Sequence, residues 1–273
     1  MLTKSRCDFD IIAGSTSGVM IPDAEVLAVV VEVLRALDLG KFVVKVNHRR
    51  LLDSMVALAG IEPAKFKTVC SSIDKLDKEP WSKVREELVG SKGIRPEAAD
   101  ELFRFVNNSG KPDMMIAYLK EEKLFGEHKG ANDALREMET LFEYLGAMGG
   151  VCDNLSFDLS LARGLDYYTG LIYEAVLTEG SNVGSIAGGG RYDDLIGMFA
   201  GKSLPAVGVS IGIERVFSIL EEKALADSSA RASETQVLVA STWNGMTKHR
   251  FAVCAELWRA GIKVQREKRL TIG

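Results

Sequence analysis

The chain has 273 residues, of which 47% are apolar and 26% are charged, and its formal net charge at pH 7 is −4. These values are typical of a globular protein and exclude a collagenous, disordered or disulfide-rich class. The negative net charge provides no general attraction to nucleic acid, so an RNA partner has to be inferred from motifs.

The N-terminal region predicts a strand followed by a helix. Residues 7–12 alternate in character as a strand does, and this alternation places Asp8 and Asp10 on the same face. Asp23 is expected to be the N-cap of the helix that follows, and Gly40 is expected to end that helix.

A second strand at 41–46 and a helix capped by Asn47 lead into a longer helical region. Between residues 62 and 147, periodic apolar segments are separated by Gly and Pro with no strand pattern, which predicts an all-helical insertion. From His48 to Lys129 there are 15 Lys and Arg against 14 Asp and Glu, so the insertion carries no overall basic charge.

Strand patterns return after the insertion. They cover residues 155–161, 172–177, 185–188 and 204–210, with a Gly-rich turn and a helix after the third strand and a helix over 212–220 after the fourth. The composition of residues 221–234 predicts a linker or a fraying helix end. The last segment has strand patterns at 236–240 and 262–265 around a helix at 247–260, which predicts the opening of a parallel βαβ unit.

The cysteines and the N-terminal sequence bear on cellular location. The four cysteines have neither C-x-x-C spacing nor a nearby His, so we expect no metal site and predict buried, reduced thiols in a cytosolic protein: Cys7, Cys70, Cys152 and Cys254. Residues 1–12 show no signal-peptide or transit-peptide pattern, and no apolar run reaches the roughly 18 residues of a membrane span.

Three polar segments are candidates for a functional site. The first, residues 161–170, brings one Arg, one Asp and two Tyr together at a strand-loop-strand junction, although a hairpin with surface Tyr and Arg would look the same. The second, 188–193, is Gly-rich and lets backbone approach a ligand, but a simple turn is the alternative. The third, 208–215, places Arg215 in the first turn of a helix, where it could grip a polyphosphate or form a solvated pair with Glu214.

The histidines suggest no catalytic triad. His48, His128 and His249 lie in helical or loop contexts and are expected at the surface. The Asp8 and Asp10 pair could likewise be no more than carboxylates on an exposed sheet face.

Taken together, the segments resemble a known family. ARGLDYYTG at 162–170, AGGGRYDDLIGMF at 187–199 and PAVGVSIGIERVFSI at 205–219, preceded by CDFDI at 7–11, resemble histidyl-tRNA synthetase, a class II aminoacyl-tRNA synthetase. The resemblance runs from about Cys7 to Lys263. It includes KVNHRRLLDSM and VCSSIDKLDK, which are similar to the eukaryotic cytosolic type.

The resemblance implies a chemistry in two steps. The family activates histidine with ATP to histidyl-adenylate and then transfers the histidyl group to its tRNA, with Mg²⁺ accompanying the ATP. Carboxylate attack on the α-phosphate brings two anions together, and Arg163 matches the catalytic, ATP-binding arginine whose fixed charge stabilises the transition state. Arg215 matches the arginine of motif 3 that holds the γ-phosphate.

The resemblance also implies how histidine is recognised. Asp10 matches the acidic residue that meets one nitrogen of the imidazole ring, and Tyr168 matches the phenol that meets the other. Two placed polar partners would reject side chains that lack the ring nitrogens. Tyr167 and Tyr192 match neighbouring positions of the histidine pocket.

Some parts of the family pattern are missing. Motif 1, which builds the dimer interface, and most of motif 2 are absent, Arg6 stands where the family has Gln, and only the first elements of the anticodon-binding domain are present. The resemblance therefore implies a core fragment of a cytoplasmic protein that is a homodimer at full length. The fragment itself is expected to be impaired or inactive.

The predicted architecture is α+β, a class II antiparallel sheet with flanking helices. Its predicted divisions are a first part of the catalytic core (1–61), the helical insertion (62–147), a second part of the core with motif 3 (148–225), a linker (226–234) and a truncated α/β anticodon-binding domain (235–273).

The predicted function is histidine-tRNA ligation, with histidine, ATP and the histidine tRNA as partners and with no membrane or metal site. The alternative is a non-catalytic regulatory or RNA-binding module of the same fold. The intact Arg163, Tyr167, Tyr168 and Arg215 argue against that alternative, and the missing motif 2 region argues for it. The insertion is expected to contact tRNA, so that its deletion would weaken tRNA charging more than adenylate formation.

Overall fold

The computed structural model describes residues 5–12, 18–164, 167–179, 184–201, 204–226, 234–241, 243 and 245–266. The chain divides into two compact units, Met1–Leu220 and Glu221–Gly273. Among the described helices, none combines the length and apolarity that a membrane span requires.

The first unit contains a sheet with helices around it. Its strands are β1 (Arg6–Ile12), β2 (Phe42–His48), β3 (Ser109–Gly110), β4 (Leu155–Asp158), β5 (Leu171–Leu177), β6 (Ser185–Arg191) and β7 (Ala206–Gly212). Its helices are α1 (Ile21–Ala36), α2 (Arg49–Leu58), α3 (Phe66–Ile73), α4 (Trp81–Glu86), α5 (Pro96–Val106), α6 (Pro112–Glu121), α7 (Lys129–Ala147), α8 (Asp193–Ala200) and the start of α9 (Ile213–Ala226). Single turns of 3₁₀ helix lie at Pro63–Lys65, Asp74–Asp77 and Cys152–Asn154, and a π-helical turn lies at Glu87–Ser91.

The seven strands described for this unit form one sheet in the order β1-β7-β6-β5-β2-β4-β3. Neighbouring strands are antiparallel except for β2 and β4, which are parallel. Helix α1 packs on β1, β6 and β7, and α7 packs on α1 and α2. This arrangement confirms the predicted α+β class.

The two faces of the sheet differ in chemistry because side chains alternate along each strand. One row of paired residues runs across the sheet on the face that α1 covers. From β7 to β4 it consists of Val209, Gly189, Tyr173, Val46 and Phe157, and its four side chains are buried. The adjacent row points to the opposite face and is polar, with members Asp8, Ser210, Gly188, Glu174 and Lys45. The candidate site is on this polar face.

The second unit contains β8 (Val237–Val239), α10 (Thr247–Arg259) and β9 (Val264–Arg266). The two strands pair in parallel, and Gly261 follows α10 with a φ of 75°. The predicted opening of a βαβ unit is therefore confirmed. Residues 227–233 of the predicted linker lie outside the described residues, and α9 extends to Ala226.

The start of α1 differs from the prediction. Helix α1 begins at Ile21 with Met20 as its N-cap in the left-handed region, and no side chain caps it. Asp23 is instead buried in the first turn, where its carboxylate binds Arg191 of β6. A buried carboxylate requires a charged partner, and this requirement outweighs the local capping preference.

The start of α2 is also different. His48 is the N-cap, and its Nδ1 accepts a hydrogen bond of 3.1 Å from the backbone N–H of Arg50. Asn47 lies within β2, next to its last residue, and is buried, and its amide donates to the carbonyls of Leu159 and Leu161. His48 is fully buried, so its predicted surface location is wrong.

Other burial predictions are confirmed in part. His249 is exposed as expected, whereas His128 is half-buried as the N-cap of α7. Cys70 and Cys254 are buried, but Cys7 on the edge strand β1 is exposed and Cys152 is half-buried. A side chain on an edge strand has a neighbouring strand on one side only and is therefore less covered than a side chain on a central strand. The alternation of residues along the sequence does not show which strand lies at the edge.

Two strand predictions needed correction. The insertion is helical except for β3, which pairs with β4 between Ser109 and Asp158. Two residues are too few to show an alternating pattern. The strand predicted at 185–188 continues to Arg191 as β6, so Gly189 and Gly190 of the predicted Gly-rich turn lie in this strand.

Candidate active site

A cavity of about 420 Å³ opens on the polar face of the sheet, between the loop after β4, the strands β5, β6 and β7, and the first turn of α9. Its described walls include four of the predicted site residues, namely Arg163, Tyr167, Tyr168 and Arg215. Asp10 and Tyr192 are not among the described residues that line this cavity. They are hydrogen-bonded to each other on the same sheet face, next to it.

Glycines in the central strands make room for two of these side chains. Gly190, Gly208 and Asp10 are partners across β6, β7 and β1, so they share the polar face. A Cβ atom on Gly208 would lie 1.7 Å from Asp10 Oδ1, and one on Gly190 would lie 2.9 Å from the ring of Tyr168. The glycines therefore allow Asp10 and Tyr168 to lie flat against the sheet at adjacent positions.

Arg163 is held from two sides. Its Nη1 donates to the carboxylate of Glu174 on β5 and, at 3.1 Å, to Oγ of Ser185 on β6. Its Nε lies 3.9 Å from Oδ1 of Asp74, which belongs to the insertion. Burial raises the pKa of the Glu174 carboxyl, although the Ser185 hydrogen bond and the Arg163 charge act in the opposite direction.

Arg215 also contacts Ser185 of β6. Its Nη1 donates to the backbone carbonyl of Ser185, so that both guanidinium groups are bonded to one residue. Arg6 of β1 lines the cavity as well. Three guanidinium groups around one cavity supply the donors that phosphate oxygens prefer, so the cavity could bind a polyanion such as a nucleoside triphosphate.

The aromatic side of the site is built from three tyrosines. The rings of Tyr167 and Tyr168 meet edge to face with centroids 4.4 Å apart, and the hydroxyl of Tyr192 donates to Asp10. Burial raises the pKa of Tyr168, and burial together with the Asp10 hydrogen bond raises the pKa of Tyr192. Both phenols are therefore protonated at neutral pH and can donate hydrogen bonds.

Some contributors were not identified from the sequence. Glu174 is a single acid within the apolar run LIYEAVL, and an acid in a buried strand requires a partner, so this signal was available. Tyr173 is buried and donates to the carbonyl of Gly208 at 2.6 Å, which fixes the strand beneath Asp10. Ser185 and Asp74 gave no sequence signal, because their role depends on which strands are neighbours.

The described residues include no group of three or more His, Cys, Asp or Glu side chains that could hold a metal ion. Two of the carboxylates at the cavity are engaged by protein groups: Glu174 binds Arg163, and Glu214 accepts from the backbone N–H of Ser5 at 2.8 Å. The described side chains around the cavity include three arginines and two phenols, those of Arg6, Arg163, Arg215, Tyr167 and Tyr168.

Comparison with known proteins agrees with this geometry. The family model described as histidyl-tRNA synthetase matches residues 15–216. A cytoplasmic histidine-tRNA ligase of Dictyostelium discoideum is 46% identical over 272 residues, which cover 97% of this chain and 56% of that protein. A histidine-tRNA ligase of Danio rerio is 49% identical, over 95% of this chain and 54% of that protein. A human mitochondrial histidine-tRNA ligase is 47% identical, over 95% of this chain and 53% of that protein.

Solved structures show the same similarity. Histidyl-tRNA synthetase from Nostoc sp. PCC 7120 superposes with a TM-score of 0.79 and 31% identity, over 98% of this chain and 62% of that one. A Bacillus halodurans protein described as an ATP phosphoribosyltransferase regulatory subunit/histidyl-tRNA synthetase superposes with a TM-score of 0.70 at 18% identity, which shows the fold alone. The chain spans about half the length of the curated relatives described above.

Proposed function

Because the chain belongs to the histidyl-tRNA synthetase family, we propose that it activates histidine with ATP and transfers the activated histidyl group to the histidine tRNA. One observation carries the proposal: two arginines meet at Ser185 in a cavity that also contains paired tyrosines. A triphosphate and an aromatic amino acid could occupy the two halves of such a cavity together.

The first chemical step joins two anions. A carboxylate oxygen of histidine attacks the α-phosphorus of ATP, the bond from this phosphorus to the bridging oxygen breaks, and pyrophosphate leaves. Arg163 would neutralise the charge that accumulates on the α-phosphate oxygens, and Arg215 would hold the γ-phosphate so that pyrophosphate is aligned as the leaving group. The contacts of Arg163 with Glu174 and Ser185 support this role, because they hold its guanidinium in place before substrate binds.

Recognition of the imidazole requires one acceptor and one donor. The Asp10 carboxylate would accept from the protonated ring nitrogen, and the Tyr168 hydroxyl, which burial keeps protonated, would donate to the other nitrogen. Tyr192 would orient Asp10 through the hydrogen bond that it already makes, and Tyr167 would pack beside Tyr168. The positions of Asp10 and Tyr168 over neighbouring glycines support this pairing.

We further propose that Mg²⁺ enters with the ATP and that the active species is a cytoplasmic homodimer. The cytoplasmic name of the Dictyostelium relative supports the location, although the human relative is named mitochondrial.

Histidine-dependent exchange of radioactive pyrophosphate into ATP tests the proposal directly. Because the missing motifs predict an impaired fragment, we expect exchange by the purified 273-residue chain with histidine at a lower rate than that of the Dictyostelium relative, which serves as the positive control. We expect none with glutamine or phenylalanine. Binding of the histidine tRNA without any exchange would contradict the proposal and favour the non-catalytic module.

A further inference from the structure

The insertion reaches the polar face of the sheet through one short turn. Two carboxylates of the 3₁₀ turn Asp74–Asp77 face two cations of the core: Asp74 Oδ1 lies 3.9 Å from Nε of Arg163, and Asp77 bonds to the ammonium group of Lys45. Residues outside the sheet therefore supply part of the electrostatic environment of Arg163.

The pair of Lys45 and Asp77 is suited to anchor this turn. The Lys45 side chain is largely buried, and Asp158 lies 3.3 Å from its ammonium on the other side. Burial alone would lower the pKa of Lys45, but the hydrogen bond to Asp77 and the charge of Asp158 outweigh burial and raise the pKa. The ammonium group thus stays charged and holds the turn beside the sheet.

Asp74 acts on a different edge of the Arg163 guanidinium from its other partners. Glu174 and Ser185 bind Nη1, whereas Asp74 faces Nε. A planar guanidinium that is contacted on one edge can still pivot about that contact. A second charge on another edge restricts the pivot and so determines which hydrogen atoms face the cavity.

The contact between Asp74 and Arg163 would contribute little if its role were only to stabilise the fold. It is too long for a hydrogen bond, and both side chains are nearly half exposed, so its contribution to stability is small. The rate of a reaction depends much more steeply than stability on the placement of a preorganised charge.

We propose that Asp74 is a positioning residue for Arg163 in adenylate formation, so that the helical insertion takes part in the first chemical step. The inference rests on the proposed function. It differs from the expectation that deletion of the insertion mainly weakens tRNA charging, because loss of the insertion would also remove Asp74.

A double-mutant cycle tests the coupling by pyrophosphate exchange. Asp74→Asn should lower kcat by about tenfold and leave the KM values for ATP and histidine within about twofold, because charge placement rather than binding is lost. In an Arg163→Lys background the same change should cost less than about twofold, since an ammonium group has no plane to orient. Asp74→Glu should recover a large part of kcat.

The matched control is Asp100→Asn, which removes an exposed carboxylate of the insertion that pairs with Arg85 at 2.6 and 2.9 Å. This variant should exchange at the wild-type rate. Equal losses from Asp74→Asn in the wild-type and Arg163→Lys backgrounds, or a lower melting temperature with an unchanged kcat, would overturn the inference in favour of a structural brace.

A second measurement does not depend on activity. The amides of Lys78 and Glu79 donate to the carbonyl of Lys75 at 2.9 and 2.8 Å and report on the turn. Because a half-exposed ion pair makes only a small contribution to local stability, Arg163→Ala should speed hydrogen exchange at these amides by about two- to threefold, and Arg85→Ala should not change it. Unchanged exchange in Arg163→Ala would refute the contact even if the wild-type chain activates histidine. A wild-type chain without pyrophosphate exchange would instead refute the proposed function.

Discussion

At the scale of single residues, the site depends on charges that are held before any substrate arrives. Arg163 bonds to a buried carboxylate and to a serine hydroxyl, while Arg215 bonds to the carbonyl of that same serine. The side-chain entropy that is lost when such hydrogen bonds form is lost during folding and not during catalysis. The charged groups are therefore already in place when the substrate binds, and this is called preorganisation. Removing one such group should therefore affect the rate more than binding.

Replacement of Arg163 tests this directly. Arg163→Ala should reduce the rate of adenylate formation by about 10²-fold or more, because a preorganised charge at the α-phosphate is lost. The affinity for histidine, measured by equilibrium dialysis, should fall much less. Arg85→Ala, which removes an arginine from the surface of the insertion, is the control. Near-native pyrophosphate exchange by Arg163→Ala would remove this residue from catalysis.

Asp10 has a natural comparison in Asp8, which lies two positions away on the same sheet face. Asp10→Ala should raise the KM for histidine by about tenfold, because a charged hydrogen-bond partner is worth about 1.5–3 kcal/mol. Asp8→Ala should change this KM much less. Steady-state exchange kinetics at varied histidine concentration provide the measurement, and equal effects of the two substitutions would contradict the assignment of Asp10.

At the scale of elements, β6 and β7 act as a flat surface on which functional side chains rest. Strand glycines usually weaken a sheet, and a run of three in β6 is costly unless another group needs the space. Here Tyr168 lies over Gly190 and Asp10 lies over Gly208. Glycine at these two positions of β6 and β7 therefore leaves the space that the side chains of Tyr168 and Asp10 occupy.

A methyl group on β7 should displace Asp10. Gly208→Ala places a Cβ atom 1.7 Å from Asp10 Oδ1 and 3.0 Å from the carbonyl oxygen of Phe9, so the carboxylate must move. We expect a rise of about tenfold in the KM for histidine, comparable to the loss of Asp10 itself. Gly146→Ala is the matched control, because nothing lies within 4 Å of the new atom in α7, and it should raise stability by about 0.5–1 kcal/mol. A Gly208→Ala protein with unchanged histidine kinetics would show that the close approach has no functional consequence.

At the scale of the whole first unit, a buried polar cluster joins the insertion to the core. His48 at the start of α2 and Arg50 in its first turn both bond to Glu137 of α7. Burial would raise the pKa of Glu137, but the hydrogen bonds from His48 and Arg50 outweigh it and lower the pKa to about 2. Burial lowers the pKa of His48, although Glu137 opposes that shift. Because Nδ1 of His48 accepts from a backbone N–H, the neutral ring carries its proton on Nε2 and donates it to Glu137.

The lowered pKa values of His48 and Glu137 predict that the first unit loses stability in acid. Each group has a lower pKa in the folded chain than in the unfolded chain, so unfolded chains bind more protons and stability falls as the pH falls. The His48 contribution should decline below about pH 6.5, and the Glu137 contribution between about pH 4.5 and about pH 2. Urea unfolding at pH 7, 5 and 3 provides the measurement. Glu137→Gln should be less stable at pH 7 and show a flatter pH dependence than wild type, and parallel curves for the two proteins would refute this account.

The sequence by itself determined the class of fold, the family and most of the elements. Alternation and periodicity predicted the main strands and helices, because these patterns arise from local geometry. The motif residues Arg163, Tyr168 and Arg215 could be named from the resemblance of their segments to the family, and the structure places all three around one cavity.

Only the tertiary structure decided which residues are partners across the sheet. Local preference predicted Asp23 and Asn47 as helix caps, but both are buried, and a buried polar group binds whatever partner the packing supplies. The Gly-rich segment was predicted as a turn because the side chains that lie over its glycines, Tyr173 over Gly189 and Tyr168 over Gly190, come from another part of the sequence. The approach of Asp74 to Arg163 could not be predicted either, since it depends on where the insertion returns to the sheet.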